Sequence, residues 1–120
     1  MKVLFGRYGV AFYTGLLVPD KFAGSTYGPF IFIRPKYLGD RGLLEHEFMH
    51  TRQIWRGLII VPCLRYWLSK KWRLTYEVEA YREQMKWYLD DRSAKFATSI
   101  STKYGLDVTY EAALALLREV

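Results

Sequence analysis

Leu43-Leu44-Glu45-His46-Glu47-Phe48-Met49-His50 is the stretch from which the rest of the chain is read. It contains H-E-x-x-H and uses both histidines in the 120 residues. On a helix, positions i and i+4 share a face with their Cβ atoms about 5–6 Å apart. His46 and His50 can then both reach one tetrahedral Zn²⁺ at about 2.0–2.1 Å. Glu47 lies one position on, about 100° further round the helix. It is poorly placed to be a third ligand, but it can lean over a water in the metal's open position. That is the arrangement a metal-activated water and a general base require.

The motif alone recurs by chance, and the plain reading is a surface helix that happens to carry two histidines. The surroundings favour the metal. Leu43, Leu44, Phe48, Trp55 and the two histidines stand in i, i+3, i+4 and i+7 relations, so the stripe carrying the imidazoles is largely apolar. Imidazoles left unpaired beside Leu and Phe lose solvation, and a metal restores what they lose.

Working outward, composition bounds the architecture. Hydrophobic residues make up 51% of the chain and aromatic residues 18%, which is enough for a compact interior. At this length the expectation is a single domain over 1–120. Cys63 is the only cysteine, so a disulfide framework and a Cys-rich zinc site are both excluded. Within its apolar run Cys63 reads as buried filler, because no third histidine remains to activate it. A lone thiol fits a reducing, cytoplasmic compartment.

The net charge is +6 and unevenly spread. No acid lies between Glu47 and Glu77, whereas Arg52, Arg56, Arg65, Lys70, Lys71 and Arg73 all do. A basic, aromatic stretch from Arg52 to Arg73 can meet nucleic acid, anionic lipid or an acidic protein. The plainer reading is solubility plus packing by long aliphatic stems. No segment has the make-up of a signal peptide: Arg7 and three glycines interrupt the N-terminal apolar run, and no small-x-small site follows before Pro19. Gly57 to Leu64 is apolar but far short of the roughly 20 residues that cross a bilayer. With Trp55, Tyr66 and Trp67 around it, this run reads as a buried connector or an interfacial segment.

In chain order, Val3-Leu4-Phe5 and Val10-Ala11-Phe12-Tyr13 are β-prone, and Pro19-Asp20 marks a turn. Phe22 to Gly28 reads as a loop. Phe30-Ile31-Phe32-Ile33-Arg34 is a strong strand stopped by Pro35. This strand is expected to run along the cleft and offer an edge to an extended peptide. The motif helix is expected to end near Gly57, and Pro62 to bar its continuation. A short helix over Arg65 to Lys71, one from Leu74 to about Tyr88, one from Asp90 or Asp91 to Tyr104, and one over Tyr110–Glu119 capped by Thr109 complete the chain. The fold class expected is α+β: a short N-terminal antiparallel sheet, the H-E-x-x-H helix, then a helical part.

Two histidines do not complete a catalytic zinc site, so the third ligand must be a carboxylate. Tyr76-Glu77-Val78-Glu79-Ala80-Tyr81 offers two, about 200° apart on a helix, of which one can face the metal. His46-Glu47-Phe48-Met49-His50 followed 27 residues later by Glu77 resembles the gluzincin branch of the zincin metallopeptidases. There the third ligand is a Glu on a following helix, often in E-x-x-x-D. Residues 28 to 84 resemble a minimal member of that branch, with a strand, a turn, the active helix and the Glu helix. The resemblance implies Zn²⁺ on His46, His50 and Glu77, with Glu47 as general base. Tyr81 stands where the pattern has its aspartate, which keeps Glu79 open as the alternative ligand.

The implied activity is zinc-dependent hydrolysis of peptide bonds in a peptide or protein substrate. Tyr76, Tyr81 and Arg34 are candidate donors to the tetrahedral oxyanion. Gln53, one turn past His50, is either a hydrogen-bond partner of the site or a surface residue. The alternative function is a non-catalytic module that uses the basic stretch 52–73 to hold nucleic acid, lipid or protein.

Overall fold

Four short strands come first in the computed structural model, which describes residues 1–57 and 60–119 and, of Ile60, Pro62 and Cys63, the backbone alone. They are β1 (Lys2–Phe5), β2 (Val10–Tyr13), β3 (Gly24–Tyr27) and β4 (Phe30–Ile33). A 3₁₀ turn at Pro35–Tyr37 leads into α1 (Arg41–Arg56), followed by α2 (Ile60–Leu68), α3 (Lys70–Met85), α4 (Ser93–Lys103) and α5 (Tyr110–Arg118). This is an α+β fold with its sheet at the N-terminal end and its helices after it, as the sequence implies. No helix among the described residues is long and apolar enough to cross a membrane.

The sheet order is β1-β2-β4-β3, and it is mixed rather than antiparallel throughout. β1 and β2 pair antiparallel, β4 lies parallel to β2, and β3 folds back antiparallel on β4. The turn between β3 and β4 is Gly28-Pro29. Gly28 at φ +60° supplies the left-handed backbone a two-residue hairpin needs. Two expectations are corrected here. The segment 24–27 is a strand, not a loop: its weak Gly-Ser-Thr propensity is overridden by the ladder to β4. And β4 is central, with both edges paired, so the sheet's edge strands are β1 and, on the side of α1's motif, β3.

Period-two alternation places the core. Ile31 and Ile33 point inward and are fully buried, while Phe30 and Phe32 point the other way. With Ala11 and Tyr13 they take Leu43 and Leu44 of α1 as one apolar cluster. A second cluster joins Tyr81 of α3 with Phe96, Ala97 and Ile100 of α4 and Leu117 of α5. α1 belongs to the first cluster and α3 to the second, and these two helices pack on one another. The seam between the two cores is where the motif sits.

Local signals explain the helix ends. Asp40 caps α1, accepting from the Leu43 amide at 3.0 Å, and the helix stops at Gly57, whose φ of −109° makes no left-handed turn. Pro62 falls in the first turn of α2, where its missing N–H is not needed. Ser69 caps α3, so the expected Arg65–Lys71 helix divides: its first part ends α2 and its last residues open α3. α3 therefore starts four residues before Leu74 and stops at Met85. Beyond it the Tyr88 hydroxyl donates to Asp40, tying the end of α3 to the start of α1. α4 and α5 lie where expected. Asp91 accepts from Ser93, Gly105 follows α4 at φ +62°, and Thr109 caps α5.

Candidate metal centre

Along α1, buried His46 and Glu47 and half-buried His50 have ligand atoms within 4.8 Å of one another and can hold a metal ion. α3 brings a fourth group to the same point. Glu77 Oε1 lies 3.4 Å from His46 Nε2 and 3.3 Å from His50 Nε2, closer than Glu47 Oε2, which is 3.7 Å from His46 Nε2. Ligands on a tetrahedral ion with bonds of about 2.0–2.1 Å stand about 3.3–3.4 Å apart. The two separations match that edge. Glu77 is 2% exposed, and its Oε1 has no hydrogen-bond partner of good geometry among the described residues.

Gln53 fixes what His50 presents. Its Nε2 donates to the Tyr76 carbonyl at 3.0 Å and to Glu79 Oε1 at 2.7 Å, both of which only accept. The amide is thus oriented with Oε1 toward His50 Nδ1, 2.9 Å away, and that nitrogen must carry the proton. The Nε2 of neutral His50 therefore aims a lone pair at a carboxylate oxygen that is also all lone pairs. Only a cation between them makes that contact favourable, and a metal or a proton can serve. This settles Gln53 as a partner of the site. Replacing it with Leu removes the hydrogen bond without touching a ligand, and metal affinity is expected to fall about 10–100-fold in competition titrations.

The electrostatics repeat the demand for positive charge. Burial disfavours the charged form of His50, but the Glu77 carboxylate more than reverses this, and the imidazole is raised to about 9. Burial likewise pushes the Glu77 carboxyl up, and the two imidazoles overcome it, holding it well below the usual carboxylate range. Tyr66 of α2 donates to Glu77 Oε2 at 2.6 Å, and burial together with that carboxylate pushes the phenol far up, so it stays a donor.

Glu79 is turned away from the histidines. Its Oε1 accepts from Gln53 and, at 2.6 Å, from Arg56. The one-or-the-other choice that two glutamates on one helix impose thus places Glu77 at the imidazoles. Tyr81 stands beside His46, ring to ring at 4.3 Å, but its hydroxyl pairs with that of Tyr104 at 2.7 Å. It supports His46 by packing, and His46 Nδ1 is a buried atom without a partner among the described residues.

Two of the three expected oxyanion donors, Tyr81 and Arg34, are engaged elsewhere. Arg34 donates to the carbonyls of Phe22, Val18 and Pro19 and so braces the segment before β3. The Tyr76 ring packs at 5.7 Å from Trp72. The Tyr66 hydroxyl, which the sequence reading set among interfacial aromatics, reaches Glu77. Cys63 lies outside the described side chains.

Thr26 is the second residue that sequence reasoning missed. From the edge strand β3 its hydroxyl donates to Glu47 Oε1 at 2.9 Å, while Glu47 Oε2 faces His46. Reading 24–27 as a loop hid it. An alternation of Thr26 with Gly24 ahead of the Gly-Pro turn is the only signal the sequence offers.

Two cavities meet at this point, and Gly24, His46 and Glu47 line both. One, of about 380 Å³, is walled by apolar and aromatic groups including Ile54, Tyr66, Trp67 and Tyr76. The other, of about 210 Å³, is polar and runs toward α4. Phe22 and Tyr104, with ring centres 5.3 Å apart, stand between them.

Much of the basic stretch is used internally. Arg56 pairs with Glu79, Lys70 with Asp107, and Arg73 donates to the carbonyls of Tyr66 and Tyr104. Arg65 lies 4.1 Å over the Trp72 ring. Compared with protein-family models, curated proteins and solved structures, the chain matches none, and the chemistry of the site rests on its own geometry.

Proposed function

We propose that this chain is a zinc-dependent peptidase in which His46, His50 and Glu77 hold the metal and Glu47 is the general base. The observation that carries the reading is the convergence of two imidazole Nε2 atoms on Glu77 Oε1 at the tetrahedral edge distance, with Glu47 beside them. Two imidazoles and one carboxylate form a donor set suited to Zn²⁺ at an open, catalytic site. Bound there, zinc would polarise a carbonyl and lower the pKa of a water to about 7.

The chain's own groups supply the remainder. Thr26 holds Glu47 Oε1, which leaves Oε2 to take a proton from the attacking water and pass it to the departing amine. Gln53 and Tyr66 hold His50 and Glu77 in register through their outer atoms.

The edge of β3 favours a peptide. Ala23 and Arg34 form a hydrogen-bonded pair, so by alternation do Ser25 with Phe32 and Tyr27 with Phe30. Gly24 and Thr26 then aim their N–H and C=O groups away from the sheet, along the line of the cleft. An extended chain laid there gains main-chain hydrogen bonds next to Glu47.

The non-catalytic reading draws less support, because Arg56, Lys70 and Arg73 already have internal partners. The test is a mixed peptide library incubated with zinc-loaded protein and analysed by mass spectrometry. Cleavage that stops on chelation and returns with one equivalent of zinc is the expected result. An intact library under zinc-loaded conditions would overturn the reading.

A further inference from the structure

The two halves of the cleft differ in polarity, and the difference bears on which peptides fit. Along α4, Lys95, Ser99 and Lys103 stand at i, i+4 and i+8, one face of the helix, and all three line the polar cavity whose floor includes His46 and Glu47. Lys36 stands on the same cavity's wall, from the turn before α1. No acid lies within ion-pair distance of Lys95 or Lys103 among the described residues. Three acids line the cavity: Asp40 is taken up by the Leu43 amide and the Tyr88 hydroxyl, Asp20 lies 3.9 Å from Arg34, and Glu47 accepts from Thr26 at the floor. A concave wall on which cations outnumber acids attracts an anion.

Gln84 adds an independent observation. It lines the same cavity and is 5% exposed. Its Nε2 donates to the Tyr88 hydroxyl, and its Oε1 has no partner among the described residues. A buried acceptor of this kind calls for a donor such as a backbone N–H. An anion joined to amide N–H groups is the end of a peptide or an acidic residue within one.

Strand direction assigns the cavity to one side of the bond. Antiparallel pairs outnumber parallel ones about two- to three-fold. A substrate antiparallel to β3 runs from the Tyr27 end toward the Gly24 end, so its C-terminal part enters the polar cavity.

We propose that the α4-lined cavity is a subsite for a carboxylate on the C-terminal side of the scissile bond. The substrate class is then peptides with an apolar residue before the bond and, a few residues after it, either an acidic side chain or the chain's own terminal carboxylate. This rests on the peptidase reading.

The test uses zinc-loaded Glu47→Gln protein, so that binding is read without turnover, and three dye-labelled peptides of one apolar sequence. One ends in a free carboxylate, one in an amide with an internal Glu, and one in an amide with Gln in place of that Glu. By fluorescence anisotropy at low salt, one or both carboxylate peptides bind about tenfold more tightly than the neutral one. Whichever gains identifies the source of the carboxylate, and the gain shrinks as salt is added. In a Lys95→Gln/Lys103→Gln background all three bind alike. Equal binding of the three peptides to the parent, or a preference that survives the double substitution, would overturn the subsite and leave the peptidase reading standing. Binding of none of them would remove both.

Discussion

Replacing Glu47 with Gln is expected to lower kcat/KM by about 10²–10⁴-fold while zinc stays bound, the range a positioned general base contributes. The amide keeps the volume of the carboxylate and its hydrogen bond from Thr26, but it can neither take a proton from water nor return one to the leaving amine. His46, His50 and Glu77 are untouched, so the metal stoichiometry of the variant should equal that of wild type. Steady-state cleavage of a fluorogenic peptide, read beside zinc content, checks both halves. Full activity in the variant would show that another group is the base. Loss of zinc would show that Glu47 holds the metal rather than the proton.

Glu77→Gln is the second large effect. Partners outside the coordination sphere typically cost 10–100-fold in affinity when removed. Loss of a charged ligand should cost more, so zinc affinity is expected to fall by well over about 100-fold. Glu79→Gln, which disturbs only Gln53 and Arg56, should fall within that outer-partner range. The metal-free proteins differ in a second way. In wild type the Glu77 carboxylate raises His50 from 6.5 to about 9. A group whose pKa is higher in the folded state stabilises fully below its unfolded value and loses that contribution as pH rises through the folded one. Metal-free wild type should therefore lose stability between about pH 6.5 and 9, and metal-free Glu77→Gln should lose much less there. Urea unfolding at several pH values reads the difference.

What the sequence discloses and what it hides divide along physical lines. The i, i+4 histidines, the apolar stripe of α1, the Phe30–Ile33 strand and the Thr109 cap are set by local periodicity and capping, and each lies where the residues indicate. The parallel β2–β4 pairing, the central place of β4 and the strand character of Gly24–Tyr27 depend on partners distant in the chain, which no local pattern encodes. The same holds within the site. Spacing leaves Glu77 and Glu79 equivalent except for a helical rotation, and only the packing of α3 on α1 decides which faces the imidazoles. Tyr66 and Thr26 join the site from α2 and β3, elements whose placement is tertiary. Tyr81 illustrates the converse. A pattern derived from carboxylates suggests a hydrogen bond to His46, whereas a tyrosine there packs its ring on the imidazole and sends its hydroxyl to Tyr104.

The proposed peptidase chemistry requires one zinc ion held by two nitrogens from α1 and one oxygen from α3. Crystals of zinc-loaded protein measured on both sides of the zinc absorption edge test it most directly. A single anomalous peak per chain is expected within bonding distance of His46 Nε2, His50 Nε2 and Glu77 Oε1, with Glu47 beside it and unbonded. A peak elsewhere, or density between the histidines without zinc's anomalous signal, would contradict it.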